Sequence, residues 1–341
     1  MKVLLTGSGG YIGTILSEAL LDAGHDVVGL DTGFYNAGWL YEGVKTLPKV
    51  LAKDIRDVEL SDLVGFEAVI HLAELSNDPL GQNDPALTHS INHEGTVRLI
   101  KLIKQAGISR FIYASSCSVY GASDQFVDET SPTHPLTAYA KSKVLNEQYL
   151  LSTADDSFSP LIFRNSTVYG ASPRMRFDLV VNNLAALAFT TGKIKMDSDG
   201  TPWRPLVHVR DVAKAFMTAL ATPTELTHKQ IVNVGSANGN YQIADLAQII
   251  ARVFPGSEVS LNPQGADKRN YKVRFEKIGL VLPGFTCDWD VEKGAQELKV
   301  IFEKIKLTSA DFESGKYTRL KAIAELQKSG SLDASLHWQK K

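Results

Sequence analysis

The chain has 341 residues, 44% of them hydrophobic and 22% charged, and a formal net charge of −2. That length supports one large domain or two lobes over a shared core, and the near-neutral balance excludes a global field for nucleic acid or an anionic membrane, so an anionic ligand needs local cations. Two cysteines, Cys117 and Cys287, are too few for a disulfide framework, and no apolar run approaches the ~20 residues of a membrane span.

The opening "MKVLLTGSGGYIG" breaks at glycines too soon for a signal-peptide core, and the expected location is the cytoplasm. "KVLLT" (2–6) reads as a buried strand, followed by a helical pattern at 12–23. "DVVGL" (26–30) is a second strand, and a third precedes "AKDIRD" (52–57). "EAVIHLA" (67–73), "RFIYASS" (110–116) and "PLIFRN" (160–165) continue the series, with helical patterns at 92–106 and 138–151 between them. Nearly unbroken apolar strands alternating with helices predict a parallel sheet covered on both faces. Gly107 is a natural stop for the helix before it.

Beyond residue 165 the rhythm loosens. A helix is expected near 177–191, a loop, strand and helix over 200–216, and a strand at "QIVNVGS" (230–236). Further helices are expected at 241–254, 291–305 and 316–328. The reading is a Rossmann-type, doubly wound α/β domain with a smaller, discontinuous C-terminal substrate lobe. Residues 1–165 form the first, with returning segments near 203–235, and residues 166–202 and 236–341 form the second.

"TGSGGYIG" sets Gly7, Gly10 and Gly13 between the first strand and the first helix, with Tyr11 and Ile12 opening that helix. Glycines there permit the tight turn, close approach of backbone to a pyrophosphate, and close packing of helix on strand. The helix N-terminus adds free N–H groups and the positive end of its dipole. Asp31 ends the second strand, where a carboxylate accepts hydrogen bonds from ribose hydroxyls and repels a 2′-phosphate. No Arg or Lys follows in residues 32–38, so the pattern favours NAD over NADP. Asp54 and Ile55 stand where adenine would lie, or else in a solvated loop.

Tyr139 and Lys143, in "YAKSK", are four apart and share one helical face. A phenol has a pKa near 10, and a neighbouring ammonium favours its ionised form.

With these motifs in order, the chain resembles the extended short-chain dehydrogenase/reductase family, in its NAD-dependent nucleotide-sugar epimerase/dehydratase branch. The likeness runs through "TGSGGYIG", "HLAELSND" (71–78), "INHEGT" (91–96), "SSCSVYG" (115–121), "YAKSK", "RNSTVYG" (164–170), "WRPLVHVRDVAKAF" (203–216) and "NVGSANGNYQIADLA" (233–247). It implies NAD in the first domain, with Leu72, Ala73 and Asn92 among the residues that hold it. It implies a nucleoside-diphosphate sugar in the second lobe, Tyr139 as acid/base, Lys143 on the nicotinamide ribose, and Ser116 on the substrate oxygen. Asn92 would order backbone behind the site, or else serve as an ordinary helix cap. The helices at 92–106 and 138–151 would pair with their copies in a homodimer, through residues such as Val97, Ile100, Val144 and Leu145.

The chain also departs from the family pattern. Dehydratases carry an Asp–Glu pair where this chain has Cys117 and Ser118, which removes the second acid/base pair that loss of water needs. Both residues stay on the substrate-facing list, although packing is the better account of Cys117. Thr167 replaces an asparagine that faces substrate. Arg204 matches an arginine that meets the diphosphate, and Arg269 follows a segment where the family has Arg-Pro-Gly-Asp. Glu74 occupies a place that is commonly alanine. The expected activity is an NAD-dependent nucleotide-sugar epimerase, in particular a UDP-sugar 4-epimerase working through a transient 4-keto sugar. The alternatives are a nucleotide-sugar dehydrogenase or keto-sugar reductase using the same residues, and less readily a dehydratase.

Overall fold

The structure is a computed structural model that describes residues 1–76, 78–196, 198–262 and 270–339. Five strands, β1 (Lys2–Thr6), β2 (Asp26–Asp31), β3 (Lys49–Ala52), β4 (Ala68–His71) and β5 (Arg110–Ser116), join the strands Ser159–Asn165 and Gln230–Val234 in one sheet. Its order is Gln230–Val234, Ser159–Asn165, β5, β4, β1, β2, β3, and every pairing is parallel. Val3–Thr6 and Ala68–His71 are buried throughout, as central strands covered on both faces must be. β1 lies between β2 and β4, so the chain reverses its direction of winding beside β1. The crevice at the C-terminal ends of those strands is where such sheets bind ligands.

The second half is built from small pieces. Thr167–Tyr169, Trp203–His208 and Asn240–Gln242 form a three-stranded sheet. Lys193–Lys195 pairs with Glu258–Ser260, and Ala122–Val127 with Asn270–Val273. The helices Val180–Thr191, Ile243–Val253 and Val291–Ile305 pack against them. The expected helix at 241 starts two residues later because Asn240–Gln242 pairs with Trp203–Pro205. One apolar cluster runs without a break from Val3 and Ile15 through Phe163 and Phe216 to Phe177 and Phe302. The last helix, Arg319–Lys328, and the turn after it fold back. Their Ile323, Leu332 and Leu336 join Leu4, Leu30 and Phe111 beneath the other face of the large sheet.

The helix predicted from residue 92 has a different start. Ser90–Gly95 forms a single π-helical stretch that leads into the α-helix Thr96–Gln105. Asn92 sits in the middle of that stretch, so it is not the helix cap, and its side chain turns inward. Such one-residue insertions re-aim a side chain and concentrate at functional sites.

Candidate active site

A cleft of about 580 Å³ opens at the C-terminal ends of β1, β2 and β4. Gly7, Gly10, Tyr11, Ile12 and Gly13 line it from the turn into the first helix, α1 (Tyr11–Asp22). Gly7 has φ +70, and a Cβ there would lie 2.9 Å from the Ala73 nitrogen, so only glycine allows this approach of the two strand ends. No side chain caps the N-terminus of α1, which leaves its N–H groups for a phosphate. Asp31 braces the loop from β2, accepting from Gly9 N at 2.9 Å and Gly33 N at 2.7 Å. Leu72, Ala73, Asp54 and Ile55 line the same cleft. Asp54 is occupied, however: it caps the turn at Arg56 N (2.8 Å) and grips the Arg56 guanidinium at 2.9 and 2.8 Å. Its neighbour Ile55 supplies the apolar surface.

The opposite wall is the helix Ala138–Thr153. Thr137 caps it, its Oγ1 accepting from Ala140 N at 3.2 Å and donating to Asp78 Oδ1 at 2.5 Å. The spacing of four brings Tyr139 and Lys143 to one face, with Lys143 Nζ 5.4 Å from the Tyr139 ring centre. The row continues inward. Asn146 donates to the Asn92 carbonyl at 2.7 Å, and Glu147 receives the Arg164 guanidinium at 2.6 to 3.2 Å. Ser116, at the end of β5, stands beside the phenol.

Glu74 changes the electrostatics of this wall. Its carboxylate lies 2.8 Å from Lys143 Nζ, with both side chains almost wholly buried. Its other oxygen accepts from Tyr113 Oη at 2.6 Å, and Lys143 also donates to the Ala114 carbonyl. Burial pushes the Glu74 carboxyl up and the Lys143 ammonium down, and each partner opposes the other's shift. Tyr139 is pushed up as well, by burial first and then by the charges of Glu74 and Asp78; Ser116 and Arg176 pull the other way. The carboxylate 2.8 Å from the ammonium offsets part of the pull that Lys143 exerts on the Tyr139 phenol.

Two expected contacts lie off the cleft. Asn92 is fully buried and clamps Leu75, accepting from its N–H at 2.8 Å and donating to its carbonyl at 3.1 Å. It orders the strand end behind the site without facing a ligand. Cys117 is 1% exposed, its Sγ donates to the Arg164 carbonyl at 3.2 Å, and burial pushes its thiol well up. It packs with Val119, Tyr120 and Val127, because the turn after Ser116 carries residue 117 inward. Ser118, Thr167 and Arg204 do line the cleft. Arg204 is 4% exposed and rests on the Tyr271 ring, with its guanidinium carbon 5.9 Å from the ring centre. Arg269, together with 264–267, lies outside the described residues.

The cleft is built for an occupant. Ser118 Oγ and Asn165 Oδ1 border it as buried polar atoms with no hydrogen-bond partner among the described residues, an arrangement costly unless a ligand supplies one. The glycine cradle, Asp31 and the Tyr139–Lys143 wall fit a dinucleotide.

A profile of the NAD dependent epimerase/dehydratase family matches residues 3–235. The chain belongs to that family. It is 28% identical to the UDP-glucose 4-epimerase of Bacillus subtilis strain 168 over 332 residues, covering 87% of this chain and 94% of that protein. It is 29% identical to the UDP-glucose 4-epimerase of Homo sapiens over 285 residues, covering 74% and 81%. Among solved structures it resembles an NAD-dependent NDP-hexosamine 5,6-dehydratase of tunicamycin biosynthesis, with a TM-score of 0.79, 24% identity, and coverage of 89% and 98%. Its parallel sheet and flanking helices are the Rossmann-type fold of an NAD-dependent family.

The cleft also holds residues that sequence reasoning missed. Arg176, Asp178 and Asn183 enter from 173–184, and Arg319 from the last helix. Two arginines and an aspartate in the apolar run "SPRMRFDLVV" were a readable signal. Arg319 gave none, since only the fold returns it to the first domain. No helix among the described residues is long and apolar enough to cross a membrane.

Proposed function

We propose that this protein is a nucleotide-sugar epimerase that inverts C4 of a UDP-sugar through a transient 4-keto sugar. Gly7, Gly10, Tyr11, Ile12, Gly13 and Asp31 hold NAD, with Ile55, Leu72 and Ala73 on the walls around it and Lys143 on the nicotinamide ribose. Bound NAD supplies the hydride acceptor, and then the donor, at the carbinol carbon. Ionised Tyr139 removes the proton of the C4 hydroxyl, and the Ser116 hydroxyl holds the same oxygen through the change to a carbonyl. The keto sugar turns its other face to the cofactor, and Tyr139 returns the proton once C4 has regained its hydride. Substrate and product are isomers, so no reductant is consumed.

Residues 166–202 and those after 235 hold the sugar nucleotide, with Ser118 and Thr167 near the sugar and Arg204 and Arg269 on the diphosphate. The protein works in the cytoplasm as a homodimer, its copies meeting on the helices Thr96–Gln105 and Ala138–Thr153. Half-buried Val97 and Leu145, 37% exposed, are available to that face. Ile100 belongs to the core.

The observation that carries the reading is the cleft wall itself. It sets Tyr139, Lys143 and Ser116 together, while the position of a dehydratase acid holds a buried thiol. Purified protein given a panel of nucleotide sugars should invert C4 over many turnovers, with no added cofactor and no lasting rise at the reduced-nicotinamide band. Tyr139→Phe should lose activity by about 10²-fold or more and keep its NAD. Consumption of one NADH per product identifies a reductase, and a 4-keto-6-deoxy product identifies a dehydratase.

A further inference from the structure

Three arginines meet at the edge of the cleft, and only one of them is neutralised. Arg176 is gripped by Asp178 at 2.9 Å through both Nε and Nη2. Arg174 donates to the carbonyls of Tyr35 (2.5 Å) and Asn36 (2.9 Å) and lies over the Trp39 ring. Arg319 is 2% exposed and stacks on Tyr35, 3.8 Å from the ring centre. Its Nη1 is buried without a hydrogen-bond partner, and no carboxylate lies within ion-pair distance among the described residues. Burial first, with Arg176 and Arg174 adding to it, lowers its pKa to about 10, while Tyr35 and Asp178 act in the opposite sense; the guanidinium remains charged at neutral pH. Asp31, the remaining acid nearby, is committed to Gly9 and Gly33. A buried cation without a counter-charge is among the most costly arrangements a core can hold. This one borders the cleft together with Tyr35, Ser76 and Arg176.

The segment that carries it is fastened to the cofactor half. Trp338 Nε1 donates to the Thr32 carbonyl at 2.7 Å, and its ring lies 6.0 Å from that of Phe34. Arg56 donates to the Ser335 carbonyl at 2.9 Å. These contacts fix 319–338 against the strand ends that bear Asp31 and Asp54, and they hold Arg319 in place over Tyr35.

We propose that Arg319 is a ligand-binding residue whose counter-charge is an oxyanion of the bound ligands. That oxyanion is a phosphate of the dinucleotide, or else a diphosphate oxygen or acidic substituent of the sugar nucleotide. The proposal uses the cofactor that the family requires and rests on the reading above only for its sugar-nucleotide arm. Ligand-free, the charge is a burden. Ligand-bound, it forms the charge-assisted pair that the site otherwise lacks.

The test compares full-length wild type with Arg319→Met, in apo form and with ligands. The Met protein should melt at a higher temperature than wild type when apo, because an unpaired buried charge is gone. It should also bind at least one ligand about tenfold more weakly or worse, in calorimetric titrations with NAD, UDP-glucose and UDP-glucuronate. Loss confined to NAD assigns the oxyanion to the cofactor phosphates. Equal loss for both sugar nucleotides assigns it to their diphosphate, and loss for UDP-glucuronate alone to a carboxylate. Should Arg319→Met not fold, Arg319→Gln, which keeps a planar head over Tyr35, serves in its place. A lower apo melting temperature with all three affinities unchanged within about twofold means that Arg319 only stacks, and overturns the proposal. These are binding measurements, so an error in the assigned reaction leaves them interpretable.

Discussion

Replacing Glu74 with glutamine removes one negative charge from the wall that carries the acid/base and keeps an acceptor for Tyr113. The size of the effect follows from two distances. With an effective dielectric of about 20, an ammonium 5.4 Å from the Tyr139 ring centre stabilises the phenolate by about 3 kcal/mol. A carboxylate at most a further 2.8 Å away gives back about 2 kcal/mol of that. Removing it should lower the Tyr139 pKa by about one unit or somewhat more. Lys143 loses the same partner, so its pKa falls too. The other charges facing the pair are Asp78 and Arg176 beside Tyr139, and Glu147 beside Lys143; these stay in place. Activity needs the phenol ionised and the ammonium protonated, so both limbs of the kcat/KM profile should move toward acid in Glu74→Gln. The assay is that profile carried up to about pH 11, above the ordinary values of both groups near 10, measured on variant protein shown to be folded and loaded with NAD. An acid limb that stays in place, or moves toward base, would refute the claim that Glu74 sets the acidity of Tyr139.

Cys117→Ala should keep activity within about twofold and cost about 1 kcal/mol in denaturant unfolding, the scale of one lost buried group, because the thiol packs away from the cleft. Asp31→Ala should reduce the preference for NAD over NADP in titrations with both cofactors and loosen the loop, since two backbone N–H groups lose their acceptor. His71 bridges Thr6 and Thr96 through its two ring nitrogens at 2.7 and 2.9 Å, and burial first, then the Lys143 charge, lowers its pKa to about 3. The unfolded chain protonates His71 as pH drops through about 6.5 while the folded protein does not. Thermal stability should therefore fall between pH 6.5 and 3, and His71→Gln should flatten that slope.

The sequence by itself determined the frame of the nucleotide site. The turn of Gly7, Gly10 and Gly13, the acid at the end of β2, and the Tyr139–Lys143 spacing are local features. Their geometry follows from a tight turn, a strand end and a helical repeat that any fold of this class must respect. The parallel sheet was legible for the same reason, because central strands buried on two faces carry few polar positions to blur them. Only the tertiary structure decided what surrounds those groups. Glu74 becomes a partner of Lys143 because the segment after β4 meets the helix Ala138–Thr153, bringing together residues 69 positions apart in sequence. Asn92 and Cys117 drop behind the wall because a π-helical stretch and a tight turn rotate them inward, and both shifts are smaller than periodicity resolves. Arg319 enters the cleft because the end of the chain returns to the first domain to bury Ile323, Leu332 and Leu336. Hydrophobic burial is non-directional and acts over any sequence separation, so no local pattern announces which distant segment it will bring home.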